Sequence, residues 1–239
     1  MTRDPRFPAG LLCDMDDTIL DSSGARERCL RQVCVEAAVG GSGLDPEALA
    51  GAIDRMAVWF WGDPRRHRRG RMDLQAAFQE IMRAALLELG IDRSDLAHAV
   101  ADRYRALREE HYRVFPGAIE TLVRLRARGV RVALVTNGTA HDQRKKIERF
   151  GLARYVDGIF IEGELGVGKP HPRVFEQALA ALACPPGDAW SIGDNLEWDV
   201  VGPQRLGVFG IWVDAGGLGP PPGSPARPDR IVRSITELV

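Results

Sequence analysis

Gly129-Val130-Arg131-Val132-Ala133-Leu134-Val135-Thr136-Asn137-Gly138 is the stretch that decides the fold. Its apolar, valine-rich middle is too short for a helix, and it is bounded by Gly129 and by the turn residues Thr136-Asn137-Gly138, so it reads as a buried strand. Upstream, a helical pattern opens at Pro116, runs to Arg128 and stops at Gly129. Downstream, a helix is expected around residues 141–150. The alternation continues with strand 159–161, helix 173–182, strand 189–192 ending at Gly193-Asp194, a helix over about 196–206, and a last strong strand at 208–213. Near the start, Gly10-Leu11-Leu12-Cys13-Asp14 is one more apolar run ending in acids, again a buried strand. Strands separated by helices imply a parallel sheet with helices on both faces, a Rossmann-like α/β core.

Between these strands the character changes. Residues 23–112 are rich in Ala, Leu, Arg and Glu at helical spacing and hold no convincing strand, so about four helices are expected. Leu44-Asp45-Pro46 looks like a helix start, with Asp as cap and Pro in the first turn. Met72-Asp73 opens another, with Leu74, Ala77, Phe78, Ile81 and Ala85 on one face and Gly90 at its end. The expected organisation is a discontinuous α/β core, residues 1–22 and 113–239, carrying an inserted α-helical domain, residues 23–112. Hinges are expected near 19–23 and 112–117. There is no internal repeat, and the Gly- and Pro-rich stretch 216–228 reads as a loop.

Composition narrows the class. The chain has 239 residues, 45% apolar and 27% charged, ordinary for a globular protein with a sizeable core and neither collagen-like, disordered nor disulfide-stapled. With 32 basic and 33 acidic residues the net charge is −1, so no global field favours nucleic acid or an anionic membrane. No apolar run approaches the ~18 residues of a membrane span, and the first residues lead into no stretch of signal-peptide length. Cys13, Cys29, Cys34 and Cys184 form no zinc-type spacing and read as reduced thiols. The expectation is a cytoplasmic enzyme or binding protein.

Ligands of open parallel sheets bind beyond the carboxyl ends of the strands. Those ends carry Asp14-Met15-Asp16-Asp17-Thr18, Thr136-Asn137, and Gly193-Asp194 followed by Asp199; Gly168-Lys169-Pro170 comes after the strand at 159–161. Asp14 and Asp16 are two apart, on one side of extended backbone. Four acids against one lysine should raise one another's pKa or bind a cation. An all-oxygen set suits a hard cation, Mg²⁺ most simply. Such a cation with Lys169 would attract a phosphate, whose oxygens Thr136, Asn137 and strand-end N–H groups could hold.

Asp14-Met15-Asp16-Asp17-Thr18-Ile19-Leu20-Asp21, Thr136-Asn137-Gly138, Lys169-Pro170 and Gly193-Asp194…Asp199 resemble, in order, the four motifs of the haloacid dehalogenase-like hydrolase superfamily. The resemblance is to its phosphatase branch with a helical cap between the first and second motifs, as in phosphoglycolate phosphatase-like and nucleotidase-like members. It implies a Mg²⁺-dependent phosphatase of a small phosphorylated metabolite. Asp14 would be the nucleophile that forms an aspartyl-phosphate, and Asp16 the general acid and base. Thr136 would bind phosphate. Lys169 would neutralise the nucleophile and the phosphoryl oxygens. Asp194 would bind the metal with Asp14 and the Asp16 carbonyl, and Asp199 would hold a metal-bound water or Lys169. The family's dehalogenases lack the second Asp of D-x-D, because a halide leaves without a proton whereas an alkoxide needs one. Asp16 therefore argues for phosphate esters.

Other readings stand beside these. A sugar phosphomutase would share the aspartyl-phosphate, and a silent phosphate- or partner-binding module would share the acids, Thr and Lys. Asp17 and Asp21 read as bonding the turn backbone, and Asn195 as a helix cap. Gly163–Lys169 matches most of a P-loop, but Pro170 stands where Ser or Thr is needed. Arg65-Arg66-His67-Arg68-Arg69-Gly70-Arg71 reads as a solvated basic loop or a cap loop that meets an anionic substrate. Trp59-Phe60-Trp61 reads as cap packing or as a substrate platform that stacks on a base or ring, as a nucleotide or sugar phosphate would offer. No nucleic-acid or membrane partner is expected, and the chain would be a monomer or homodimer.

Overall fold

The computed structural model describes residues 6–39 and 43–239. The chain divides into two compact units, Met1–Asp21 with Val114–Val239, and Ser22–Arg113. The first unit opens with β1 (Gly10–Cys13) and the two-residue β2 (Leu20–Asp21). The second contains α1 (Ser23–Ala37), α2 (Pro46–Gly62), α3 (Pro64–Met72), α4 (Leu74–Glu88) and α5 (Ser94–His111). After β3 (Arg113–Val114), strands and helices alternate: α6 (Ala118–Ala127), β4 (Arg131–Thr136), α7 (Ala140–Arg149), β5 (Gly158–Ile161), α8 (Glu162–Leu165), α9 (Pro172–Ala181) and β6 (Ala189–Gly193). A π-helical segment at Leu196–Val201 then leads into α10 (Gly202–Gln204), β7 (Phe209–Val213) and β8 (Arg230–Val232). No described helix is long and apolar enough to cross a membrane.

The α/β unit is built on one sheet of six parallel strands in the order β5-β4-β1-β6-β7-β8. Side chains alternate along a strand, and both faces here are apolar. Leu11 and Cys13 join Val132, Leu134, Ile192 and Ile211 on one face, under Leu122 and Leu125 of α6 and Ile147 of α7. Leu12, Ala133 and Val135 face the other way, onto Val174, Phe175 and Leu179 of α9. Burial on both faces explains why the strands read as continuous apolar runs rather than alternating ones. The Rossmann-like core with a helical insert is thus as the sequence implies.

The helical unit has its own core, in which Phe60 is fully buried among Leu49, Ile53, Ala77, Phe78, Ile81 and Leu86. Asp45 accepts hydrogen bonds from the N–H groups of Glu47 and Ala48 with Pro46 in the first turn, and Asp73 caps α4. Two expectations change here. The described residues of this unit form five helices rather than about four, and the additional one is α3, over the arginine run expected as a loop. Asp63 caps it, Pro64 opens it, and arginine is a good helix former. Arg66 stacks 3.9 Å above the Trp59 ring and donates to the Trp59 carbonyl, while Arg69 pairs with Glu80. These two arginines are spent inside the unit. Trp61 packs edge-on against Phe60 with centroids 4.9 Å apart, the packing role expected of the cluster, whereas Trp59 is 45% exposed beneath Arg66.

Two details of the α/β unit also differ from expectation. The helix expected over 196–206 is a π-helical segment followed by the short α10. Beyond the Gly- and Pro-rich loop lies β8, whose three residues are too few to carry a period.

Candidate active site

β1 lies between β4 and β6, so the strand order reverses across β1 and opens a crevice beyond the carboxyl ends of these three strands. All the residues expected at the site line one pocket of about 190 Å³ there: Asp14, Asp16, Thr136, Asn137, Lys169, Asp194 and Asp199. Asp17, Asn195 and Trp198 line it as well. Asp17 is held at φ 56°, and its N–H donates to the Leu20 carbonyl, so its main chain does bond the turn while its side chain faces the pocket.

Lys169 sits before α9, and Asn137 places it. The Asn137 Oδ1 accepts from the Lys169 N–H at 2.7 Å, and its Nδ2 donates to the Lys169 carbonyl at 2.8 Å. The Asn137 amide expected on phosphate is thus taken up by the lysine's main chain. A Cβ at Gly168 would lie 2.5 Å from that Oδ1, so only glycine fits beneath the clamp. The helix after Lys169 begins at Pro172, so the lysine does not open a helix as a P-loop requires. Its buried Nζ lies 2.5 Å from Asp14 Oδ1 and 2.6 Å from Asp199 Oδ1. Asp199 is fixed in turn: its Oδ2 accepts from the Asn195 N–H at 3.0 Å, and its carbonyl accepts from Ser191 Oγ at 2.8 Å. A Cβ at Gly193 would stand 2.2 Å from Asp199 Cγ, which excludes any side chain there. Asn195 caps the π-helical segment by accepting from the N–H groups of Glu197 and Trp198.

Charge is not balanced in this pocket. Oxygens of Asp14, Asp194 and Asp199 lie within 4.8 Å of one another. Burial works against the charge on Lys169, but Asp14 and Asp199 outweigh it and hold the ammonium above the usual lysine range. One ammonium does not compensate three carboxylates. Burial pushes the Asp14 carboxyl well up, with Asp199 and Asp194 adding to it against Lys169. Asp194 is open on its pocket side, yet desolvation by the surrounding protein and the charges of Asp199 and Asp17 push it up to about 7. The set has room for more positive charge, and its donors are all hard oxygens. Asp199 is committed to Lys169 and Asn195, which leaves Asp14 and Asp194 as the carboxylates able to ligate a hard cation.

Asp16 is held differently. Both its oxygens lie 2.8 Å from Lys146 Nζ, and Oδ2 also accepts from Gln143 Nε2 at 3.1 Å. The same Gln143 Nε2 donates to Thr136 Oγ1 at 2.5 Å and to the Asn137 carbonyl at 2.9 Å. Buried Glu162, just past β5, accepts from the Gly138 N–H at 3.1 Å. Sequence reasoning missed Gln143, Lys146 and Glu162. The available signal was spacing: Gln143 and Lys146 are three apart on the helix that follows Thr136-Asn137-Gly138, and so share one face.

A family model of the haloacid dehalogenase-like hydrolases matches residues 9–207. The chain is 34% identical over 244 residues to phosphoserine phosphatase of Thermus thermophilus, covering 95% of this chain and 96% of that protein. It is 28% identical over 210 residues to glyceraldehyde 3-phosphate phosphatase of Methanopyrus kandleri, covering 86% and 84%. Among solved structures, it is similar to the magnesium-bound putative HAD-hydrolase YfnB from Bacillus subtilis, with a TM-score of 0.73, 25% identity, and 99% and 97% of the two chains covered.

Proposed function

Since the chain belongs to the haloacid dehalogenase-like hydrolases, we propose that it is a Mg²⁺-dependent phosphatase of a small phosphomonoester, with Asp14 as nucleophile and Asp16 as general acid and base. Hydrolysis of phosphoric monoesters as such follows from the family and its phosphatase relatives. The observation that carries the finer reading is the separate handling of two carboxylates at the end of β1. Asp14 is turned onto a buried ammonium, and Asp16 is turned onto α7.

The division of labour follows from charge. An anionic nucleophile approaches a phosphate dianion only where positive charge screens both. Lys169 supplies such charge at Asp14 Oδ1, and Asn137 fixes its main chain. Asp14 then forms a bond to phosphorus as the ester P–O bond breaks, and protonated Asp16 gives its proton to the departing alkoxide oxygen. Asp16, now a base, takes a proton from the water that attacks the aspartyl-phosphate, which frees phosphate and returns both residues to their starting forms. Thr136 at the end of β4 would hold a phosphoryl oxygen. Asp14, Asp194 and the Asp16 carbonyl would hold Mg²⁺, which when bound supplies further positive charge for the phosphoryl oxygens. Relatives named for phosphoserine and glyceraldehyde 3-phosphate support a small phosphorylated metabolite as substrate. Four free, buried cysteines are in keeping with a reducing compartment such as the cytoplasm.

The test is phosphate release from p-nitrophenyl phosphate and a panel of small phosphomonoesters, with Mg²⁺ and with chelator. Release is expected with Mg²⁺, and is expected to vanish with chelator and in Asp14→Asn at unchanged circular dichroism. Multiple turnover by the Asn variant would overturn the nucleophile assignment.

A further inference from the structure

Lys146 takes no part in the scheme above, yet it makes the shortest contacts that Asp16 has among those described, 2.8 Å to each carboxylate oxygen. This is not a solvated surface pair. The lysine side chain is only 12% exposed and the aspartate 29%. Most exposed ion pairs gain little, because water and side-chain freedom compete with them; here α7 removes much of that competition. Gln143, one turn earlier, grips Asp16 Oδ2 and Thr136 Oγ1 with the same nitrogen. One face of α7 thus ties Asp16 to the end of β4.

The arrangement answers a problem posed by the sequence. Asp14 and Asp16 project to the same side of extended backbone, and a cation binding at Asp14 would attract both. The carboxylates gathered within 4.8 Å of one another are Asp14, Asp194 and Asp199, and Asp16 is not among them. Each of the two carboxylates has its own lysine, Lys169 for Asp14 and Lys146 for Asp16.

We propose that Lys146 is a positioning residue: its bidentate contact keeps the Asp16 carboxylate out of the cation cluster and aimed for proton transfer to the leaving oxygen. The proposal rests on Asp16 being the general acid. Lys146 itself gives up no proton; in the acid step the protonated oxygen of Asp16 faces the ester oxygen while Lys146 keeps its contact with the other oxygen, and the proton that reaches the ester oxygen as the P–O bond breaks is the one on Asp16.

A leaving-group series on the full chain tests this. A nitrophenolate leaves without a proton, whereas an alkoxide does not. In Lys146→Met, kcat/KM toward a small alkyl phosphate is expected to fall about 10- to 100-fold, a share of the 10²–10⁴ typical of general acid catalysis, with a much smaller fall on p-nitrophenyl phosphate. Lys146→Arg should recover most of the loss. Asp16→Asn should show the same preference more strongly, and adding Lys146→Met to it should cost nothing further on the alkyl ester. Loss of a merely structural contact would lower both substrates alike, so an equal fall, no fall, or additivity in the double variant overturns the proposal. If Asp16→Asn itself spares the alkyl ester, the acid assignment fails first, and the role of Lys146 falls with it.

Discussion

Asp194 is where the electrostatics of single residues becomes measurable. Its carboxyl, pushed up to about 7 from an ordinary 3.8, takes up a proton more readily in the folded chain than in the unfolded one. A group raised in this way stabilises the fold fully below its unfolded value and loses that contribution as pH rises through its folded one. The metal-free protein should therefore lose thermal stability through this group between about pH 4 and about pH 7. A divalent cation held there, as proposed, would compete with the proton for the same oxygen, so Mg²⁺ should raise Tm more at about pH 8 than at about pH 5. Calorimetry at both pH values checks this, and an equal rise would remove Asp194 from the cation site. The acids were legible in the sequence because carboxylates that end apolar strands demand a reason. Gln143 and Lys146 were not, because a polar residue on a helix face looks the same whether it meets water or, as here, the half-buried carboxylate of Asp16. The role of Asn137 was half legible: its place at the strand end could be read, but not that its amide would turn to the main chain of Lys169.

At the scale of elements, α7 connects the pieces of the pocket, and its start is a single cap. Thr139 Oγ1 accepts from the Asp142 N–H at 3.0 Å. Thr139→Ala should cost about 1 kcal/mol of stability, read from denaturant unfolding. It should also lower kcat/KM on alkyl phosphates, because Gln143 and Lys146 ride on the same helix; unchanged activity would show that α7 holds them without its cap. Strands β1, β4 and β6 and helices α2, α4, α6 and α9 could be placed from period and punctuation, since burial on both faces leaves an apolar run and caps leave Asp or Pro. Two other segments were read differently, 64–72 as a loop and 196–201 as part of an ordinary helix. The arginines of α3 have no apolar face, so its helicity rests on Asp63, Pro64 and the stacking of Arg66 on Trp59, which lies outside the helix. The Asn195 cap marks a helix after β6 in the sequence, but nothing in the sequence marks its π-helical winding.

For the molecule as a whole, the insertion point matters most. The Phe115 N–H donates to the Ile19 carbonyl at 2.9 Å, so the chain returns to the α/β unit beside the place where it left. Joining Asp21 to Val114 through a short Gly-containing turn, without residues 22–113, should leave a unit that still unfolds cooperatively in denaturant, because its sheet and both apolar layers are its own. Hydrolysis of p-nitrophenyl phosphate by this shortened chain should persist weakly and with little discrimination among esters; a non-cooperative melt would show that the helical unit is needed to hold the fold. The same topology sets an order of events on the ribosome. β1 is synthesised first but lies in the middle of the sheet, and Gly10 finds its neighbours only at Arg131 and Ala189. The helical unit, with local contacts and a complete core, emerges between them and can fold early. Leu11, Leu12 and Cys13 therefore wait without one or both strand neighbours until Ala189–Gly193 has left the exit tunnel, and up to that point the nascent chain is most exposed to aggregation and most in need of a chaperone.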